Sequence, residues 1–223
     1  MKLGTLLKID ESIINNAKKR EKRSHLGASV VGDPCMRKIW YQFYEPIEIT
    51  DPRILRIFKL GQVIEDEIVI PMLRDAGFTV YEKDNNGDQF GFKDGKFAGS
   101  IDGCIVGLPE SSKPHLLEIK SANKSRFNDF KKNGYRSSST YYAQIQIYMK
   151  YMKLERALVV VYCKDDSELY LERIKYDSMY AEMQVDKAYR ILESKDNIPD
   201  REFKRSTDWR CRFCQHKEKC WEE

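Results

Sequence analysis

Asp102 and Glu118 are carboxylates set among apolar neighbours, with Ile101, Cys104 and Ile105 around the first and Leu116, Leu117 and Ile119 around the second. Taking an ionised carboxylate out of water is costly, so residues in such settings serve an ion pair, a hydrogen-bond network or a metal. Lys120 follows Glu118 by two positions, and on a strand that spacing puts acid and ammonium on one face and Ile119 on the other. Oxygen ligands of this kind suit Mg²⁺ or Mn²⁺, which bind through a few carboxylates and keep waters able to attack a phosphodiester. A lone Glu-x-Lys is ordinarily a structural ion pair. Here it has company, with Gly61-Gln-Val-Ile-Glu65 before it and Gln144-Ile-Gln-Ile-Tyr148 after it. Gln144 and Tyr148 are four apart and share a helix face, although taken alone they read as ordinary helix residues.

A second constellation is made of sulfur. Cys211, Cys214 and Cys220 crowd the end of the chain and Cys35 lies near its start. Four thiolates are the usual complement of an iron–sulfur cluster or a tetrahedral zinc, and Cys-x-x-Cys accepts either. A ligand drawn from so far upstream would act as a clasp across the chain. His216, between Cys214 and Cys220, is a rival ligand but reads as an exposed bystander, and Cys104 and Cys163 read as buried small hydrophobes inside strands.

Helical patterns cover residues 11–23, 35–45 and 53–76, the last with Ile57, Leu60, Ile64 and Ile68 near helical spacing and Gly77 as its C-cap. The period then changes to strands at 78–81, 97–106 and 116–121, with turns at Asn86-Gly87 and Asp94-Gly95. Ser137 to Thr140 offers an N-cap to a helix carrying Tyr141, Ile145, Tyr148, Met149 and Met152. Strands at 157–163 and 169–174 and a helix over 177–194 complete the pattern. The expectation is an α/β chain with helices before the strands and a cysteine cluster after them.

At 223 residues and 41% hydrophobic content the chain reads as a single domain over 1–223, with its core at about 53–194 and the clasp made by Cys35 and 209–221. The longest apolar run, Ala157 to Cys163, is too short to cross a bilayer, and Asp10 and Glu11 interrupt the start before a signal-peptide core forms. A soluble cytoplasmic protein with no membrane partner is expected. With 39 basic against 35 acidic residues the net charge of +4 says little, but its distribution says more. Lys18–Arg23, Lys124–Arg136 and Arg201–Arg212 are basic-rich, and the last two interleave aromatics, a pattern suited to phosphate contact and base stacking. Any one of these segments is equally what a solvated face looks like. No Walker-type phosphate loop occurs, so nothing points to a helicase motor.

Asp102, fifteen intervening residues and then Glu118-Ile-Lys120 resembles the PD-(D/E)XK nuclease signature, and Gln144-x-x-x-Tyr148 resembles the motif of its RecB-type branch. Gly61-x-x-x-Glu65 falls where that branch has Gly-x-x-x-His or Gly-x-x-x-Glu. Cys35 with Cys211, Cys214 and Cys220 is similar to the iron–sulfur clasp of the AddB nuclease domain and of the fourth CRISPR-associated (Cas four) family. Glu65 stands in for the common histidine and Ile101 for the proline of the motif. Glu65 remains a competent hard ligand, and the proline position varies freely in the family.

The resemblance implies a restriction-endonuclease-like core, a mixed sheet flanked by helices. It implies that Glu65, Asp102, Glu118 and the Ile119 carbonyl hold Mg²⁺ or Mn²⁺. Lys120 would position or help deprotonate the attacking water, and Gln144 and Tyr148 would place the DNA strand. Cys35, Cys211, Cys214 and Cys220 would hold a 4Fe–4S cluster, with zinc as the alternative. The activity implied is a deoxyribonuclease, first an exonuclease on single-stranded DNA ends. The alternatives are a structure-specific or restriction-like endonuclease, or a non-catalytic DNA-binding partner. Recombination or replication proteins, in a cellular or phage setting, are the partners it suggests.

Overall fold

Three local devices set the helical entry to the sheet. Helix α1 (Gly4–Lys18) packs against α4 (Pro52–Val63), whose start is fixed by Pro52 in the first turn and by Asp51, which accepts from the Arg53 N–H at 2.8 Å. The helix then widens into a π-helical segment, Ile64–Val69, and resumes as α5 (Ile70–Asp75). Gly77 ends it at φ +91°, with the Phe78 N–H closing on the Leu73 carbonyl at 3.1 Å. This computed structural model describes residues 3–19 and 23–222. Between α1 and α4 come β1 (Leu26–Gly27), α2 (Ala28–Val31) and α3 (Met36–Tyr44).

Strands β2 (Thr79–Tyr81), β3 (Gly91–Asp94), β4 (Phe97–Ser100), β5 (Gly103–Val106) and β6 (His115–Ala122) follow. Next are α6 (Lys124–Asn133), α7 (Ser139–Met152), β7 (Arg156–Cys163), β8 (Leu169–Lys175), α8 (Ser178–Glu193), α9 (Trp209–Arg212) and α10 (Lys217–Glu222). They build two mixed sheets. The larger has the order β2-β5-β6-β7-β8, with β6 and β7 parallel and the other pairs antiparallel. The smaller has the order β1-β4-β3. The parallel pair is joined through α6 and α7, and β7 reads as an unbroken apolar run because it is buried from Ala157 to Val161.

Helix α7 is buried from Tyr142 to Met149, apolar nearly all round, because it packs against both sheets as well as α2 and α8. Its one buried amide on the α8 side, Gln146, is fully used: it donates to the Lys175 carbonyl at 3.0 Å and accepts from the Asp177 N–H at 2.8 Å. One core cluster gathers around α7, and a second lies across the larger sheet, where Ile64, Val69 and Ile70 meet Leu117, Ile119 and Leu158.

Several expectations are corrected. The first helix runs from Gly4 to Lys18 rather than over 11–23, and residues 20–22 of that expectation lie outside the described residues. The apolar stripe expected over 53–76 buries Ile64 but leaves Ile57, Leu60 and Ile68 exposed. The strand expected over 97–106 is two strands in different sheets, broken at Ile101 and Asp102. Ser138 is the N-cap of α7, yet its hydroxyl makes no capping hydrogen bond. Residues 124–133, read as a basic segment, form α6 with Asn123 as its cap at 2.9 Å from the Arg126 N–H.

Candidate active site

The hairpin β5–β6 brings the acids together. Gly103 pairs with Leu117, so one step further along the antiparallel register Asp102 falls opposite Glu118. The fifteen-residue spacing is therefore the length of one hairpin. Because β4 ends at Ser100 and the chain crosses from one sheet to the other, Asp102 sits at the crossing rather than inside a strand. Its Oδ2 accepts from the Ile119 N–H at 2.7 Å, which fixes the carboxylate against β6.

Glu118 and Lys120 share the face of β6 turned toward α7, and Ile119 faces the other core, as the period of two requires. Glu118 is wholly buried, and its carboxylate contacts the Lys120 ammonium. Beyond that ion pair neither carboxylate oxygen receives a hydrogen bond from a described residue. Burial holds the Glu118 carboxyl up at about 7, the Lys120 ammonium opposing and Asp102 adding to the shift. Burial also raises Asp102, against the pull of Lys120 and the Ile119 N–H. Lys120 itself is held well above the ordinary lysine value: desolvation opposes its charge, but Glu118, Tyr135 and Asp102 outweigh it. The ammonium also lies over the Tyr141 ring, 5.3 Å from its centroid.

Glu65 reaches this group from the π-helical segment, a geometry that re-aims a side chain without ending the helix. Its carboxyl is pushed up to about 8, first by burial and then by Asp102 and Asp66, with Lys120 opposing. Gln144 and Tyr148 are both buried on α7, and the amide of Gln144 lies 3.5 Å from the Tyr148 hydroxyl. The Tyr148 ring rests on Gly99 of β4, where a Cβ would stand 2.5 Å from a ring carbon. That close approach needs the glycine.

Tyr135 was not anticipated. It is fully buried in a stack with Phe130 and Tyr141, its hydroxyl has no partner among the described residues, and it feels the charges of Glu118 and Lys120. Its only sequence signal is the preceding Gly134, at φ +74°, which frees the Tyr135 N–H to bond Glu172 at 2.6 Å.

Among the described residues no three His, Cys, Asp or Glu side chains are disposed to hold a metal ion together. The donor set nevertheless fits a hard divalent ion: the buried Glu118 carboxylate has no donor among the described residues beyond the Lys120 ammonium, and Asp102 stands opposite it. The cysteines behave similarly. Cys35, Cys211, Cys214 and Cys220 are free thiols that line one cavity of about 420 Å³, despite their separation in sequence. The Cys35 sulfur accepts from the backbone N–H groups of Lys38 and Glu202, while burial raises its pKa. His216 lines the same cavity but is not the exposed bystander expected: it is buried and stacked on Tyr41 with ring centroids 5.2 Å apart. Cys163 is buried as expected, whereas Cys104 is only half-buried. No helix among the described residues is long and apolar enough to cross a membrane.

No family model and no curated protein matches the chain. Solved structures do. An alkaline exonuclease from Laribacter hongkongensis, LHK-Exo, matches with a TM-score of 0.55 at 17% identity, over 83% of this chain and 92% of that one. Its complex with dAMP gives a TM-score of 0.56 at 17% identity over the same shares. SSO0001 matches at 0.56 and 14% identity, over 99% of this chain and 98% of that one. Two mixed sheets flanked by helices, in the arrangement these structures share, make a restriction-endonuclease-like α/β fold.

Proposed function

We propose that the chain is a Mg²⁺- or Mn²⁺-dependent deoxyribonuclease of the PD-(D/E)XK type and RecB branch, acting as an exonuclease on single-stranded DNA ends. The observation that carries this reading is Glu118, buried opposite Asp102 with the Lys120 ammonium as the sole donor to its carboxylate among the described residues. A structural ion pair alone would leave such oxygens better satisfied. The likeness to a solved alkaline exonuclease, one form of which holds dAMP, favours exonuclease over endonuclease.

In this reading Asp102, Glu118 and the Ile119 carbonyl hold the divalent ion and Glu65 completes or orients that shell. The ion supplies Lewis-acid polarisation of the scissile phosphate and a more acidic water. Lys120 positions or helps deprotonate the attacking water and offsets charge on the phosphorane. Gln144 and Tyr148 place the strand. Cys35, Cys211, Cys214 and Cys220 hold a 4Fe–4S cluster as a structural clasp, a reading supported by their lining one cavity.

End-labelled linear DNA and a closed single-stranded circle, incubated with Mn²⁺ and with excess EDTA, test the activity. Linear substrate should be degraded only with the cation and the circle should persist. Cutting in EDTA would refute the site, and linearised circles would make the protein an endonuclease. Anaerobically purified protein should be brown and hold about four irons; one zinc and no colour would replace the cluster with zinc.

A further inference from the structure

Trp209 is 74% exposed and Phe213 is 86% exposed, although large aromatics are normally covered. They are four residues apart, Trp209 opening the short helix α9 and Phe213 following its end, and both line the cavity that the cysteines share. Around them the charge is one-sided. From Phe203 to Lys217 the sequence contains Lys204, Arg205, Arg210, Arg212 and Lys217, and its single acid is Asp208. That acid is engaged: Arg210 donates to its carboxylate at 2.8 Å while its guanidinium lies over the Phe203 ring at 3.8 Å. Lys204, Arg205 and Arg212 are exposed and have no ion-pair partner among the described residues. Exposed rings beside uncommitted cations are what a single strand needs, since bases stack on the rings and phosphates meet the charge.

We propose that Trp209 and Phe213 form a stacking platform for single-stranded DNA, flanked by Lys204, Arg205 and Arg212 and separate from the carboxylates that would cut it. A protein partner would be the other use of two exposed aromatics, but the excess of unpaired cations around them favours a polyanion. The platform rests on the nuclease reading for its substrate and deepens it. A duplex keeps its bases stacked inward, so the platform selects single strands.

The test uses fluorescein-labelled oligo-dT and the matching duplex in EDTA, followed by anisotropy. Trp209→Ala with Phe213→Ala should weaken oligo-dT binding about tenfold or more for each ring, with much less effect on the duplex. Trp209→Phe should retain most of the affinity. Equal binding of oligo-dT by wild type and double variant would overturn the platform, as would equal losses on single strand and duplex. Loss of self-association or of a protein partner without loss of oligo-dT affinity would reassign the patch to protein docking. The unmodified protein gives a second measurement that does not depend on the variant folding. Trp40 is buried and Trp221 half-buried, which leaves Trp209 the most exposed of the three indoles, so quenching on adding oligo-dT is expected, and unchanged emission at saturation would refute stacking on Trp209. Failure of the nuclease reading looks different: wild type would then leave DNA uncut with Mn²⁺, whatever the variants bind.

Discussion

Glu118 should make the cation-free protein less stable as pH rises. In the folded chain its carboxyl holds a proton up to about pH 7, against 4.5 for an ordinary glutamate. A raised folded pKa means that the folded state binds more protons than the unfolded one, so stability is fully present below pH 4.5 and is lost as pH climbs through 7. The loss levels off above that. At 1.36 kcal/mol per pKa unit, the part falling between pH 5.5 and 8.5 is roughly 2 kcal/mol. His25, His115 and His216 work in the opposite sense, because burial lowers their pKa and acid therefore destabilises the fold through them. The difference between wild type and Glu118→Gln cancels the histidines, while Glu65 and Asp102, whose carboxyls burial also raises, work in the same sense as Glu118. Urea unfolding in EDTA should show wild type losing about 2 kcal/mol relative to Glu118→Gln over that range. Mg²⁺ or Mn²⁺ competes with the proton for the carboxylate, so added cation should stabilise wild type more at pH 8.5 than at 5.5. A pH-independent difference, or a cation effect that is equal at both pH values, would refute the account of Glu118 as a buried carboxylate awaiting an ion.

Asp102→Ala should lower cleavage by several orders of magnitude in an end-labelled DNA assay while near-ultraviolet circular dichroism stays unchanged, because it removes a proposed ligand and little core volume. Lys120→Ala should lower kcat by about 10²-fold with DNA affinity little changed; normal cleavage with weak binding would reverse its role. Lys131 is paired with Glu168 at 3.1 Å, so Lys131→Ala should leave the salt dependence of DNA binding unaltered. Lys132→Ala with Arg136→Ala should flatten the log–log slope by up to about two, and an unchanged slope would remove both from the DNA-binding surface. Cys35→Ala should release the metal and lower the melting temperature, since by the chain-entropy view a clasp closing so long a loop restrains the unfolded chain by roughly 5 kcal/mol. A metal-free variant as stable as wild type would refute the clasp.

The acid–lysine pair was legible because strand geometry leaves little choice. Two positions on a strand share a face, and a hairpin between Asp102 and Glu118 needs about the spacing found, so neither inference required knowledge of distant contacts. Helix α8 was legible for the same local reason, with Asp177 capping it through the Tyr180 N–H at 3.0 Å. What escaped the sequence depends on pairing across the molecule. The stretch from Phe97 to Val106 reads as one strand, and nothing local says that its halves pair with β3 and β6 in separate sheets. Lys131 reads as a free cation until the β7–β8 turn sets Glu168 against it. Tyr135 falls within a basic segment whose aromatics suit base stacking, and only the stack with Phe130 and Tyr141 shows it buried near the charges of Glu118 and Lys120.

The break at Asp102 shows how these two kinds of information combine in one residue. Had the strand continued unbroken, the Asp102 N–H and carbonyl would be committed to a ladder and its side chain to a fixed alternation of faces. Crossing between sheets at that point lets the carboxylate turn to the Ile119 N–H and lie opposite Glu118. The same crossing places β4 and its Gly99 under Tyr148, so the helix that carries Gln144 is seated against the strand that precedes the acid. A side chain larger than hydrogen at position 99 would push Tyr148 away and carry α7 with it. The site is thus positioned by a close backbone approach as well as by its charges.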